Sequence, residues 1–209
     1  TLNRAMFIAE AIESVRDNGY PHLDIIVADN GSTDGTLEIV STLDVRCVGE
    51  NRRGAGFARI AGLAVAKYET VLFLDSDDVL VYEALTNLFS ALESENADFA
   101  YGAFENFLDP KSAVPGKAYQ GVGQSQLAPI SSTTLTTKSA VAKFGPMRGD
   151  NVSWPRLMMF ARREGAVFSV VPSKVAHRRI HNSNISLNFD TRTSFFSILR
   201  DLPGGRANA

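Results

Sequence analysis

Val71-Leu72-Phe73-Leu74-Asp75-Ser76-Asp77-Asp78 decides the fold. Four apolar residues between polar neighbours read as a short strand buried on both faces, the pattern of a sheet covered by helices. A buried helix segment gives the same pattern, but this run breaks at once into three carboxylates. In open α/β sheets, ligands bind beyond the carboxyl ends of the strands. Asp75 and Asp77 are two apart, so an extended backbone points both to one side. Two like charges there call for a proton or a cation between them. Mg²⁺ or Mn²⁺ is the natural partner, since both take carboxylate oxygens together with substrate phosphates. An isolated Asp-Xaa-Asp reads first as a solvated turn, and the rest of the chain moves this one toward a site.

Outward from that strand, helical and strand patterns alternate. Ile8, Ile12 and Val15 form an apolar stripe in a predicted helix from Arg4 to Asn18, stopped by Asn18-Gly19. Leu23 to Ala28 reads as a second buried strand, ending in a turn dense in capping residues, Asp29 to Thr36. A helix then carries Ile39, Val40 and Leu43, and Val45 to Val48 is a short strand whose Cys47 is expected to be buried. After the Arg52–Gly56 loop, Phe57, Ile60 and Ala64 mark another helix. Leu85, Leu88 and Leu92 mark the helix after the acids, and Asp98 to Phe107 alternates as a strand. Asp109 to Pro129 reads as a long loop. A threonine-rich strand around Leu135, helices at Lys138–Phe144 and around Trp154, and a strand at Val167–Val171 complete the pattern. The expectation is an α/β domain with a mainly parallel sheet flanked by helices.

Composition narrows the function. The 209 residues fit one large domain, with 44% hydrophobic and 21% charged residues. A net charge of −2 without a basic run argues against a nucleic-acid partner. One cysteine permits no disulfide within the chain, which fits a reducing, cytoplasmic setting. No apolar run approaches the roughly 18 residues of a membrane span. The Asn30–Gly35 stretch resembles a calcium loop, but Ser41 stands where the bidentate Glu belongs. Gly54-Ala55-Gly56 begins a dinucleotide fingerprint, which Arg59 spoils by its size. Two strand-end acids, Asp29 and Asp75, with Arg52, Arg53 and Arg59 between them in sequence, suit a nucleoside diphosphate held with a metal.

The segment Ile25 to Thr36 resembles the nucleotide-binding strand and turn of the family-two inverting glycosyltransferases. Asn51, Gly54, Ala58-Arg59 and Gly62-Leu63 are similar to that family's next segment, and Phe73–Asp78 to its metal motif. Gly149-Asp150-Asn151 resembles its acidic helix start, and Arg179-Ile180-His181 its late Arg-Xaa-His. The resemblance implies a Rossmann-like GT-A fold and a nucleotide-sugar donor, UDP-linked by preference. It implies Asp29 on the nucleobase, Asp75 near the ribose, and Asp77 on Mn²⁺ or Mg²⁺. Asn30, Ser32, Arg59, Ser76, Arg179 and His181 would complete the donor site. An acceptor hydroxyl would attack the anomeric carbon with a general base beside it.

Three departures stand out: Ile60 in a slot that usually holds Asn, Asn151 where the family's base is usually Asp, and a start at Thr1 that resembles the tail of the family's first strand. Preceding native residues are therefore expected, with a gap or a substitute segment beside the Val71 strand. Asp150 reads equally as the base or as a helix cap, and Trp154 as an acceptor platform or a core residue. The domain is set at residues 1–186, and residues 187–209 form a tail with a short amphipathic helix. Phe195, Phe196, Ile198 and Leu199 are expected to leave water, by docking on the domain first, in a homodimer next, and at the inner membrane face last. The acceptor is left open among glycan, lipid and small molecule. A nucleotide-sugar-binding module that lost its base and a sugar-nucleotide pyrophosphorylase are the alternative functions.

Overall fold

The structure is a computed structural model that describes residues 1–110, 121–145, 147–182 and 184. The order is α1 (Ile8–Arg16), β1 (Ile26–Asp29), α2 (Thr36–Thr42), β2 (Arg46–Gly49), α3 (Ala55–Val65) and β3 (Thr70–Leu72). Then come β4 (Val79–Leu80), α4 (Ala84–Ser94), β5 (Phe99–Leu108), β6 (Ser125–Leu127), β7 (Thr134–Thr137), α5 (Lys138–Lys143), α6 (Ser153–Arg163) and β8 (Phe168–Ile180). The fold is α/β, as the alternating pattern implies. The tail with Phe195, Phe196, Ile198 and Leu199 lies outside the described residues.

The strands form two sheets. One is the parallel pair β1–β2. The other runs β3-β7-β5-β8-β4, with β6 on β5. Only β5–β8 is parallel within it, so the larger sheet is mixed. The long strand β5 is its axis. Successive side chains on a strand face opposite ways, and both faces of β5 are covered. Phe99 packs into a cluster with Phe144, Trp154, Leu157 and Met158 from the α5–α6 side. Ala100 packs with Leu88 and Leu92 of α4, Leu135 and Val175 on the other. Burying each large apolar side chain contributes about 1.5–3 kcal/mol.

Around the smaller sheet, Ile8 and Ile12 of α1 pack on Val27 and Val40. Helix α1 is shorter than the expected Arg4–Asn18, running from Ile8 to Arg16, and ahead of it Arg4 and Ala5 give their N–H groups to Thr36 and Asp34. The Asn18-Gly19 stop holds: Gly19 has φ +78°, and the buried Asn18 bonds Val81 O and Leu85 N. Cys47 is exposed rather than buried, since β2 is an outer strand with a mostly solvent-facing pattern.

Between β1 and β3 lies a cavity of about 1120 Å³. Among the described residues, each of these strands pairs on one side only, β1 with β2 and β3 with β7. Val71 to Leu74 are accordingly half-buried and line the cavity instead of being covered on both faces. No helix of the described residues is long and apolar enough to cross a membrane.

Candidate active site

The polar mouth of the cavity is built first from the turn after β1. Asp29 is buried, and its carboxylate accepts the N–H groups of Gly31 and Ser32, each at 3.1 Å. Asn30 is a clamp: its amide donates to Glu50 O (3.0 Å) and Arg52 O (2.7 Å) and accepts Gly54 N–H (2.8 Å). Ser32 Oγ accepts Asn3 N–H, and Asn3 Oδ1 accepts Thr33 N–H. Asp34 takes Ala5 N–H and Thr36 N–H, and hydrogen bonds the Thr36 hydroxyl. That hydroxyl hydrogen bond is the first cause holding the Asp34 carboxyl below the usual carboxylate range. Much of the turn's polarity thus goes into its own shape and into anchoring residues 3–5.

The acids after β3 do not share a face. The strand ends at Leu72 and Ser76–Asp77 is a turn, so the extended backbone assumed for Asp75 and Asp77 is replaced by divergence. Asp75, with a half-exposed carboxylate, pairs with Arg59 at 2.8 Å and with the Ser131 hydroxyl. Asp77 Oδ2 meets Arg4 Nε at 3.1 Å and His181 Nε2 at 2.9 Å. Burial opposes ionisation of Asp77, but the His181 hydrogen bond and the Arg4 charge outweigh it and hold the carboxyl below its ordinary range. Asp78 is buried, accepting Ser132 Oγ–H (2.6 Å) and Arg179 N–H (3.1 Å). Ser76 lines the cavity beside them.

Arg179 and His181 come to Asp77 from the end of β8, but as braces. The Arg179 guanidinium lies between the Phe7 and Phe107 rings, 4.9 and 4.5 Å from their centroids. It donates to Asp77 O (3.0 Å) and Glu10 (2.5 Å). His181 is fully buried and packs on Phe7 at 4.7 Å.

Helix α6 begins at Ser153, and the Asp150 carboxylate, which is not among the residues lining the cavity, binds Arg156 Nη1 at 2.7 and 3.0 Å. Val152 holds the cap position, so Asp150 does not cap the helix through its side chain. Asn151 lines the cavity and accepts Ala55 N–H at the start of α3. Trp154 is not an acceptor platform: it is 3% exposed, donates to Pro129 O (2.9 Å) and packs edge-on against Phe73. An apolar stripe at helix spacing points inward, and this Trp lies on it.

Three residues of the site, Arg4, Ser131 and Ser132, carry little signal in the sequence. Ser131 and Ser132 belong to a four-hydroxyl run, Ser131 to Thr134, whose density was the available signal. Arg4 gave none, being 73 positions from the carboxylate it meets. Among the described residues no three His, Cys, Asp or Glu side chains form a metal cluster. The nearest approach is the pair Asp77–His181, one oxygen and one nitrogen donor.

A helix-covered mixed sheet with strand-end acids opening on a cavity is the architecture of GT-A transferases. The chain belongs to glycosyl transferase family 2, whose model matches residues 1–127. It is 31% identical over 111 residues to the glycosyltransferase GlyG of Streptococcus pneumoniae, covering 50% of this chain and 37% of that protein. It is 33% identical over 138 residues to a GalNAc(5)-diNAcBac-PP-undecaprenol β-1,3-glucosyltransferase of Campylobacter jejuni, covering 63% and 43%. The chain thus spans less than half the length of these relatives. Staphylococcus aureus TarS, solved with UDP-GlcNAc, superposes with a TM-score of 0.73 at 19% identity over 95% of this chain and 62% of that one. Mycobacterium tuberculosis glucosyl-3-phosphoglycerate synthase, solved with Mn²⁺, UDP and phosphoglyceric acid, gives 0.70 at 20% identity over 95% and 75%.

Proposed function

We propose that this domain belongs to an inverting glycosyltransferase that moves a sugar from a UDP-sugar to an acceptor hydroxyl with the help of a divalent cation. The observation that carries the reading is the meeting of Arg4, Arg59, Asp75 and Asp77 on one cavity. Two guanidiniums suit a diphosphate and the acids suit a ribose and a cation. Arg59 and Asp75, paired at the rim, orient the ribose and the nearer phosphate. The carboxylate–imidazole pair Asp77–His181 fits Mn²⁺ by donor type. When bound there, the cation would supply positive charge for the departing diphosphate. Arg179 holds the Asp77 backbone and fixes where that charge sits.

Asp150 is the base in this reading. Its carboxylate is about half exposed, and Arg156 keeps it oriented. It would take the acceptor hydroxyl's proton as the new glycosidic bond forms and the bond to diphosphate breaks. The Campylobacter jejuni relative, named for a substrate linked to PP-undecaprenol, favours a lipid-linked acceptor, a role in polysaccharide synthesis and a peripheral place at the inner membrane face. The test is UDP release from a panel of UDP-sugars, with and without Mn²⁺. Asp150→Asn is expected to keep donor binding and to lose about 10²–10⁴ in turnover; full turnover in that variant rules Asp150 out as the base. A second reading, a donor-binding module, rests on Asn151 facing the cavity while Asp150 is tied to Arg156. Donor binding without any transfer selects it.

A further inference from the structure

Arg4 reaches Asp77 in an unusual way. Its backbone N–H donates to Thr36 Oγ1 at 2.8 Å, which fixes the root of the side chain to the turn after β1. Its Nη1 donates to Leu2 O (3.2 Å) and Asn3 O (3.0 Å). Toward the acid it presents Nε, 3.1 Å from Oδ2, rather than the two-pronged fork that makes Arg–carboxylate pairs strong. The same oxygen already has His181 Nε2 at 2.9 Å. Both side chains of the Arg4–Asp77 pair are only 12% exposed, and both residues line the cavity.

A divalent cation held by Asp77 would be bound directly through its carboxylate. A guanidinium on Asp77 Oδ2 and a divalent cation on the same carboxylate repel each other, and a poorly solvated site screens that repulsion little. Arg4 must withdraw. Its root stays on Thr36, so it swings within the same cavity, where the incoming anion is the donor's diphosphate. We infer, on the reading of Asp77 as a metal ligand, that Arg4 is a resident counter-cation that hands Asp77 to the metal and moves onto the diphosphate. It opposes metal binding when the metal comes alone and supports it when nucleotide comes too. Metal and nucleotide are thereby coupled through one side chain, and the coupling is reciprocal.

The test is calorimetric titration of Mn²⁺ into the protein with and without saturating UDP, for the parent, Arg4→Met, Arg4→Lys and Asp77→Ala. Circular dichroism melts confirm that each variant is folded. Without UDP, Arg4→Met is expected to bind Mn²⁺ about 5-fold or more tightly than the parent, within the usual range of such couplings. With Mn²⁺ saturating, it is expected to bind UDP more weakly. Arg4→Lys keeps the charge on a different stem and should fall between. Unchanged or weaker Mn²⁺ binding by Arg4→Met without UDP overturns the inference while leaving the metal site standing, provided Asp77→Ala binds Mn²⁺ less well. Unchanged Mn²⁺ binding by Asp77→Ala overturns both.

Discussion

Burial pushes the Asp78 carboxyl up to about 8, with the charges of Asp75 and Asp77 adding to the shift. The folded state therefore binds this proton more tightly than the unfolded chain does. Its contribution to stability is fully present below the unfolded carboxylate range and is lost as pH rises toward 8, by at most about 1.4 kcal/mol per pH unit. Asp78→Asn keeps an acceptor for Arg179 N–H and a hydrogen-bond partner for Ser132. In chelator, it is expected to match the parent near pH 4 and to be the more stable protein at pH 8. Urea titrations at both pH values check this, and a stability difference that does not grow with pH removes the buried-proton account. Trp154 gives a second residue-scale expectation. Trp154→Phe leaves Pro129 O without its donor and thins the packing on Phe73, so it should cost about 1–3 kcal/mol. Acceptor KM should stay unchanged, because the ring is in the core; a raised acceptor KM at unchanged stability would return Trp154 to the site.

Among the elements, the entry to α3 decides how the cavity's far wall is hung. Gly54 has φ +139°, and a Cβ there would overlap the Gly149 carbonyl. A Cβ on Gly56 would overlap the Arg148 carbonyl. The residues before α6 therefore lie directly on the start of α3, with Asn151 on Ala55 N–H. Gly56→Ala is expected to push this wall outward, costing about 1–3 kcal/mol as an overpacked contact and weakening donor binding. Thermal melts and UDP titration check it; a variant with parental melting temperature would mean the wall yields freely. In the sequence these glycines read as a failed dinucleotide fingerprint. Their use lies in close approach to a segment almost a hundred residues away, which a local pattern does not encode.

At the scale of the molecule, the dominant feature among the described residues is that β1 and β3 face each other across the cavity without a strand between them. Thr1 N–H donates to Ala28 O at 2.6 Å and Thr1 O accepts Asn30 N–H at 2.8 Å, so Thr1 already lies beside β1 as a neighbouring strand would. An extended segment continuing from Thr1 into the cavity would extend that pairing along β1 and meet the β3 edge, which no other described strand covers, and the apolar side chains around them. Joining six β-branched residues ahead of Thr1 is expected to raise Tm by roughly 5 °C or more, the effect of a few kcal/mol in a chain of this size. An unchanged Tm would mean the edges do not accept a strand.

The sequence by itself determined the α/β class, the main helices and strands, the turn after β1 and the acids after β3. These rest on periodicity, capping and apolar runs, which are local and survive without tertiary context. It also carried the family resemblance, because that lies in the order and spacing of short motifs. Only the tertiary structure decided what each polar group does. Asn30 became a clamp, Arg179 a brace between two rings, and Asp75 and Asp77 parted at a turn. Cys47 came out on an outer strand and Trp154 went into the core. Such outcomes turn on which distant groups reach hydrogen-bond distance in a low-dielectric interior. Arg4 meets Asp77 across 73 positions because the fold, not the spacing, brings them together.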